Sequence, residues 1–275
     1  MLAPRQDALI ARLRAAGSVF AEEEARLLRT HARDPDDLET MAERRVAGEM
    51  LEHVIGSVAF GDLTLRIGPG CFVPRRRSRL LARLAVASSR TAAGRRSPQP
   101  PVVLEMCAGI APLLATVHAA LPGARLHAAD IDPVPLARAR ENLPGTAQLH
   151  RGDLFAGLPA DLRGRVDVLV AVPPYVPDSA MDLLPHEVRE HEPRRALLGG
   201  SDGTGVIARL IDESEVWLAA GGRMLLEMSA GQARDQREAL ARSASPYTAA
   251  RVHTGADGHT GVLDLVRAET SSPRP

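Results

Sequence analysis

Residues 172–175 read Val-Pro-Pro-Tyr and close the apolar run Val166-Asp167-Val168-Leu169-Val170-Ala171. Neither Pro173 nor Pro174 has an N–H to give to a sheet, so a central strand must end here. A carbonyl released from sheet pairing at Pro173 can accept a hydrogen bond from a substrate N–H, and Tyr175 can wall the pocket around it. Val172 offers apolar surface and neither donates nor accepts. These four residues are the candidate catalytic loop, with Pro173 and Tyr175 also facing substrate and Val172 facing a cofactor. Chemistry that depends on orientation and exclusion of water, rather than on an acid–base pair, suits such a loop.

Three further segments carry groups suited to a nucleoside-like cofactor. Residues 104–112, Leu-Glu-Met-Cys-Ala-Gly-Ile-Ala-Pro, join a strand pattern to a helix pattern. Such a turn brings backbone N–H groups and a helix N-terminus to a ligand. Gly109 alone remains of a glycine-rich fingerprint, and an ordinary strand–helix turn reads the same way. About 20 residues on, Asp130 stands at a strand end, where an acid accepts both hydroxyls of a ribose, with Ile131 beside it. Asp132-Pro133 reads instead as an N-cap followed by proline at the first helical position. In Gly152-Asp153-Leu154-Phe155, Asp153 can accept from an adenine amino group and Leu154 can pack on the ring, the alternative being a plain turn acid. The three segments occur in the order that brings them to the C-terminal edge of a parallel sheet, where such ligands bind.

The elements that must position these groups alternate. Strand patterns at 102–106, 125–129, 147–150, 166–172 and 223–228 are separated by helix patterns that include 133–142 and about 204–219. That order predicts an α/β, doubly wound sheet, closed by a hairpin of 247–253 with 261–266. Trp217 fits a core position on the helix before the fifth strand. Ahead of this lies a different pattern. Residues 1–57 read as a small helical unit, with Leu9, Ile10, Leu13, Leu27 and Leu28 at helical spacing and a third stripe from Leu38 to Ile55. Residues 58–74 read as a hairpin linking it to a domain of residues 75–275. The arginine-rich stretch 75–96, free of acids, reads as a solvated helix face passing into a loop at 91–101, or else as a surface for an acidic partner or an RNA-bearing assembly.

Composition narrows the function. With 34 basic and 34 acidic residues the net charge is zero, which argues against a general polyanion binder. All the basic residues are arginine. Aromatic residues are 3%, too few for stacking on single-stranded nucleic acid, so no direct nucleic-acid readout is expected. The two cysteines, Cys71 and Cys107, have no metal-ligand spacing, so no metal is expected. His186, Glu187, His191 and Glu192 cluster within seven residues and read mainly as packing and caps, with Glu187 a candidate substrate contact. No apolar run has the length of a membrane span, and the charged, amphipathic N-terminus does not read as a signal peptide, so a soluble, cytoplasmic protein is expected.

Beyond these readings, the sequence resembles a known family. In a large group of S-adenosylmethionine enzymes that methylate amide or exocyclic amine nitrogen, the fourth strand ends in Asn/Asp-Pro-Pro-Tyr. Glu43 to Leu51, with Ile55-Gly56 and Phe60-Gly61, resembles the Arg-Arg-x-x-Gly-Glu-Pro-Leu and Ile-Leu-Gly elements of the HemK/PrmC protein-(glutamine-N5) methyltransferases, with Met50 in place of proline. Gly70-Cys71-Phe72-Val73-Pro74-Arg75-Arg76 resembles the family's interdomain Pro-Arg segment, with arginine and serine replacing the acids that usually follow. Leu184 to Pro193 and Gly199-Gly200-Ser201-Asp202-Gly203 resemble the segment after the active-site tetrapeptide. The resemblance implies a Rossmann-like seven-stranded methyltransferase domain with a helical substrate-recognition domain before it. It also implies S-adenosyl-L-methionine as cofactor, S-adenosyl-L-homocysteine as product, and Glu105, Cys107, Gly109, Asp130, Ile131, Asp153 and Leu154 around them. Phe72, Pro74, Arg75 and Glu187 would face the acceptor, a release-factor-like protein or a small molecule. An enzyme methylating a protein amide or amine is the leading expectation. A small-molecule N- or O-methyltransferase and a catalytically silent binding protein are the alternatives.

Overall fold

The computed structural model describes residues 3–243 and 245–269; residues 1–2, 244 and 270–275, which the expected spans include, lie outside the described residues. The chain opens with α1 (Ala3–Ala15), α2 (Ala21–His31), α3 (Pro35–Val46) and α4 (Leu51–Ile55). Leu9, Leu13, Ala25, Leu28, Met41 and Val54 form a hydrophobic cluster of their own. Asp34 starts α3 by accepting from the Asp37 N–H, with Pro35 at the first helical position. The stripe expected from Leu38 to Ile55 is broken in two. Gly48, at φ +95°, turns the chain out of α3, a conformation that residues with a Cβ resist.

The antiparallel hairpin β1 (Ser57–Phe60) and β2 (Leu63–Arg66) turns at Gly61-Asp62. Its inward side chains, Val58, Phe60 and Leu65, join Ile67, Cys71 and Val73 in the cluster that also holds Leu81, Val103 and Leu113. The hairpin is therefore built into one face of the large sheet. A 3-10 turn, Arg76–Ser78, leads into α5 (Arg79–Arg96). The loop expected from residue 91 is helical, because Ala92 is fully buried and the two terminal arginines find distant partners. Arg95 donates to the Gly221 carbonyl at 2.8 Å, and Arg96 to Asp167 at 2.9 Å.

From here the chain alternates through β3 (Val102–Met106), α6 (Pro112–Ala120), β4 (Arg125–Asp130), α7 (Pro133–Asn142), β5 (Gln148–Arg151) and β6 (Val166–Ala171). It continues through α8 (His186–His191), α9 (Arg194–Leu197), α10 (Gly205–Ser214), β7 (Leu218–Ser229), α11 (Ala230–Ala241), β8 (Tyr247–Thr254) and β9 (Thr260–Arg267). The seven-stranded sheet has the order β5-β4-β3-β6-β7-β9-β8. The five strands from β5 to β7 are parallel, and β9 runs antiparallel between β7 and β8. Core β3 and β6 are buried along their whole length, as a sheet covered on both faces requires. The expected helix to residue 219 stops at Ser214 instead, and β7 starts at Leu218. Trp217 thus sits in the turn between them and stacks on Phe155 with ring centroids 5.7 Å apart. The chain crosses from β5 to β6 past β4 and β3, so the strand order reverses beside β3. That switch point opens a crevice at the C-terminal edge of the sheet.

Candidate active site

At that edge lies a cavity of about 420 Å³. It is lined by Glu105, Cys107, Gly109, Asp130, Ile131, Asp153, Leu154 and Val172, with Phe72 and Pro74 from the segment after the hairpin. The turn after β3 is unusual in its backbone. Cys107, Gly109 and Ala111 have φ of 50°, 54° and 59°, and Leu154 across the cavity has φ 47°. Three of the four carry a Cβ, and each such residue costs on the order of 1–3 kcal/mol that the surrounding fold must offset. Glu105 helps to hold this turn. Its carboxylate accepts from the N–H groups of Leu113 (3.4 Å) and Leu114 (2.8 Å), so it caps α6, where Ala111 has no capping side chain. Burial pushes Glu105 up to about 8, against the pull of those two donors, and the charge on Asp130 adds to the rise.

Asp130 ends β4 with its two oxygens divided. One accepts from the Gly109 N–H at 2.8 Å and the other from the Asp132 N–H at 2.9 Å. Burial raises its pKa while these donors lower it. Asp132 accepts from the Val134 N–H at 2.9 Å as the N-cap of α7, a structural task distinct from that of Asp130. Ile131 and Val134 remain about half exposed at the rim. Asp153 is differently engaged from the sequence expectation of a free acceptor, since Arg209 of α10 holds both of its oxygens at 3.0 and 3.1 Å. Its carboxylate is therefore already committed to a guanidinium.

A second cavity, of about 280 Å³, adjoins the first and shares Phe72, Val172 and Ala196 with it. Pro173, Tyr175, Arg75, Arg77 and Glu187 line it. The Pro-Pro-Tyr loop is fixed through its backbone. Val176 donates to the Leu197 carbonyl and accepts from Gly199, both at 2.9 Å, and Gln232 donates to the Tyr175 carbonyl at 3.0 Å. The segment 199–203 presses on this loop so closely that a Cβ at Gly199 would lie 2.6 Å from the Pro174 carbonyl oxygen, and one at Gly203 would collide with that of Tyr175. Only glycine fits either place.

Around this second cavity the charges are paired. Arg75 stacks over Phe72 at 4.7 Å and forms an ion pair with Glu192, whose other oxygen accepts from the Val73 N–H at 2.9 Å. Glu192 is thus a structural brace. Arg45 of α3 holds Glu24 of α2 at 2.9 Å and reaches Glu187 at 3.4 Å, linking the first helices to the cavity. Arg77 donates to the Tyr175 hydroxyl at 2.8 Å, and Ser78 to the buried Glu227 at 2.9 Å.

Comparison with known proteins decides the family. The chain is 34% identical over 239 residues to the release factor glutamine methyltransferase of Mycolicibacterium smegmatis, covering 80% of this chain and 82% of that protein. The chain belongs to the HemK/PrmC methyltransferase family. It is an enzyme that uses S-adenosylmethionine. It is also 31% identical over 268 residues to the 4-amino-L-phenylalanine/4-methylamino-L-phenylalanine methyltransferase of Streptomyces pristinaespiralis, covering 92% of this chain and 90% of that one. With the release factor glutamine methyltransferases of Mycobacterium tuberculosis, Mycobacterium leprae and Streptomyces coelicolor the aligned part spans 60% to 64% of their length. No family model matches the chain. A methyltransferase structure from Pyrococcus furiosus shares the fold at TM-score 0.51 and 16% identity, over 84% of this chain and 99% of that one.

In this methyltransferase, sequence reasoning overlooked Arg209, Arg45 and Ser78. Each reaches its partner across a distant element, and no local pattern marks it. Arg77 had a signal, an arginine where the family segment carries an acid. Among the described residues no helix is long and apolar enough to cross a membrane, and no group of three metal-ligating side chains occurs.

Proposed function

We propose that this enzyme methylates an amine nitrogen on a small acceptor seated in the 280 Å³ cavity, in preference to a side-chain amide. The observation that carries this reading is Val172, which lines both cavities where the family resemblance expects asparagine. An amide nitrogen shares its lone pair with its carbonyl, and turning it toward a methyl donor requires acceptors for both N–H groups. Valine leaves one of them unpaired, at a cost of about 1–3 kcal/mol, or ~5- to 150-fold in rate if felt in the transition state. An amine keeps its lone pair on nitrogen and asks chiefly for placement.

The cofactor, on this reading, occupies the 420 Å³ cavity, within the usual size range for small ligands. Asp130 keeps one lone pair on each oxygen for ribose hydroxyls after serving Gly109 and Asp132. Leu154 and Ile131 supply apolar walls for a ring, and Glu105 and Cys107 shape the turn. Asp153 contributes through its pair with Arg209. The Pro173 carbonyl, Tyr175 and Phe72 then orient the acceptor, and Arg75 and Glu187 set the walls of its pocket, whereas Pro74, expected beside the acceptor, lines the cofactor cavity instead. The coverage shared with the 4-amino-L-phenylalanine enzyme supports an aromatic amine as the acceptor type. A protein acceptor is the second reading, favoured by the link from Glu24 through Arg45 to Glu187, which ties α2 and α3 to the cavity.

Incubation with labelled S-adenosylmethionine separates the two. Native enzyme is expected to label 4-aminophenylalanine-type amines and to leave a release factor glutamine nearly unlabelled, with Val172→Asn raising the latter. Efficient labelling of the glutamine by native enzyme, unimproved by Val172→Asn, overturns the proposal.

A further inference from the structure

Beneath Val172 lies a carboxylate that nothing described so far employs. Glu227 on β7 is fully buried, and its Oε2 has no hydrogen-bond partner among the described residues. The last pair in the β6–β7 register is Ala171 with Leu226, so Val172 and Glu227 follow it on neighbouring strands. Val170 and Leu225, one register step before that pair, belong to the cluster that Val172 packs against. Glu227 points to the same face, since it meets Ser78 at the start of α5. A polar side chain at position 172 would be the natural partner for Oε2, and valine leaves that oxygen free.

The other oxygen is not isolated from the cavity. Glu227 Oε1 accepts from the Ser78 hydroxyl at 2.9 Å, and Ser78 lines the 420 Å³ cavity together with Val172. We propose that Glu227 is the proton store for amine methylation, reached through the hydroxyl of Ser78 from an acceptor nitrogen that extends past Val172, where the two cavities meet, into the cavity Ser78 lines. This rests on the amine reading above. As the nitrogen lone pair forms the N–CH3 bond and the S–CH3 bond breaks, a neutral thioether leaves and the nitrogen carries a surplus proton. That proton passes to Ser78 Oγ, the proton of Ser78 passes to Glu227, and the neutral methylamine remains. The relay needs no other co-reactant.

The setting suits the task. Burial pushes Glu227 up to about 7, partly opposed by the Ser78 hydrogen bond and the Arg77 charge, and Asp257 raises it further. Arg77 Nε stands 3.9 Å away, and Tyr175 is a further titratable neighbour. A carboxylate poised near neutrality accepts a proton during turnover and returns it to solvent afterwards.

The test uses the full chain with Glu227→Gln, Ser78→Ala and the conservative Ser78→Thr. Native amine methylation is expected to fall as pH drops through about 7. Glu227→Gln and Ser78→Ala should each lower kcat by ~100-fold and flatten the profile, the range for positioned acid–base groups. Ser78→Thr should restore both, and calorimetric affinity for S-adenosylhomocysteine should stay near native in Glu227→Gln, whose side chain lines neither cavity. Infrared difference spectra of the cofactor-free protein should show two buried carboxyl bands, one titrating near pH 8 from Glu105 and one near pH 7 from Glu227, and only the second should vanish in Glu227→Gln. Amine methylation with a native pH profile in Glu227→Gln and Ser78→Ala, or no second band in the native protein, overturns the relay alone. Methylation of a glutamine acceptor and of no amine overturns the amine reading and the relay with it.

Discussion

Replacing Asp130 by asparagine keeps the shape of the side chain and removes its charge, which isolates what the carboxylate does at the edge of β4. In the native protein its oxygens accept from two backbone N–H groups, those of Gly109 and Asp132. Asparagine has one carbonyl oxygen, so its NH2 group must face the second donor. A buried N–H left without an acceptor costs about 1–3 kcal/mol, which for a chain of this size lowers Tm by roughly 2–10 °C. The cofactor loses more. A hydrogen bond to a charged group contributes about 1.5–3 kcal/mol, so Kd for S-adenosylhomocysteine should rise ~10- to 150-fold. Asp132→Ala is the matched control two residues away. It removes an N-cap, costing about 0.5–2 kcal/mol of stability, and should leave Kd close to native. Titration calorimetry and thermal melts on the two variants check both numbers. Equal losses of affinity in both variants, or an unchanged Kd in Asp130→Asn, would refute the assignment of Asp130 to the cofactor.

Three other outcomes are expected. Glu192→Ala strands the partly buried Arg75 and the Val73 N–H together, so it should cost about 2–3 kcal/mol in urea unfolding; a loss below about 0.5 kcal/mol would show the brace to be idle. Glu105 has its folded pKa raised from 4.5 to about 8, so the folded state holds that proton more tightly than the unfolded chain. Its contribution is present below about 4.5 and disappears as pH rises through about 8. Glu105→Gln should therefore lose less stability than the native protein across that window, and parallel curves would contradict the burial argument. A chain begun at Ser57 should keep the fold, because α1–α4 bury a cluster of their own. One begun at Arg75 should not, because it removes Phe60, Leu65 and Ile67 from the main core, and cooperative melting of that shorter chain would refute the reasoning.

The succession of strands along the chain and the sheet edge where the cavity opens were legible because each segment combines an apolar run with a polar residue at its end. Val102 to Met106 delivers the Gly109 turn, and Leu126 to Ala129 delivers Asp130. The Asp132-Pro133 cap could be separated from Asp130 on local chemistry alone. What stayed hidden depends on partners far away in sequence. Ser78 and Glu227 stand 149 positions apart, and Asp153 and Arg209 stand 56 apart. No periodicity encodes such meetings. The same cause explains the misplaced loop at residue 91. Gly94-Arg95-Arg96 has the composition of a solvated turn, yet Arg95 and Arg96 bind Gly221 and Asp167 across the sheet and hold the helix to its end. Trp217 was placed on a helix because the apolar residues before it keep helical spacing, while its indole is fixed by Phe155 and by Arg163 at 4.7 Å.

On the proposed reading, the valine at position 172 moves the acceptor preference without a change in the surrounding structure. The Pro-Pro-Tyr loop is held by hydrogen bonds from Val176, Gly199 and Gln232 and by the close approach of two glycines. None of these contacts involves the side chain of residue 172. Valine there packs against the apolar cluster beneath the sheet edge, so exchanging an amide for a branched alkyl group leaves the loop geometry intact. In the proposal it alters the polarity balance near the acceptor, since Glu227 keeps an unpaired oxygen and its other oxygen accepts from Ser78, which lines the cavity. On the proposed reading, position 172 and Glu227 act as a pair. An acceptor at 172 favours a nitrogen that needs both protons held, whereas a free carboxylate at 227 favours a nitrogen that must lose one.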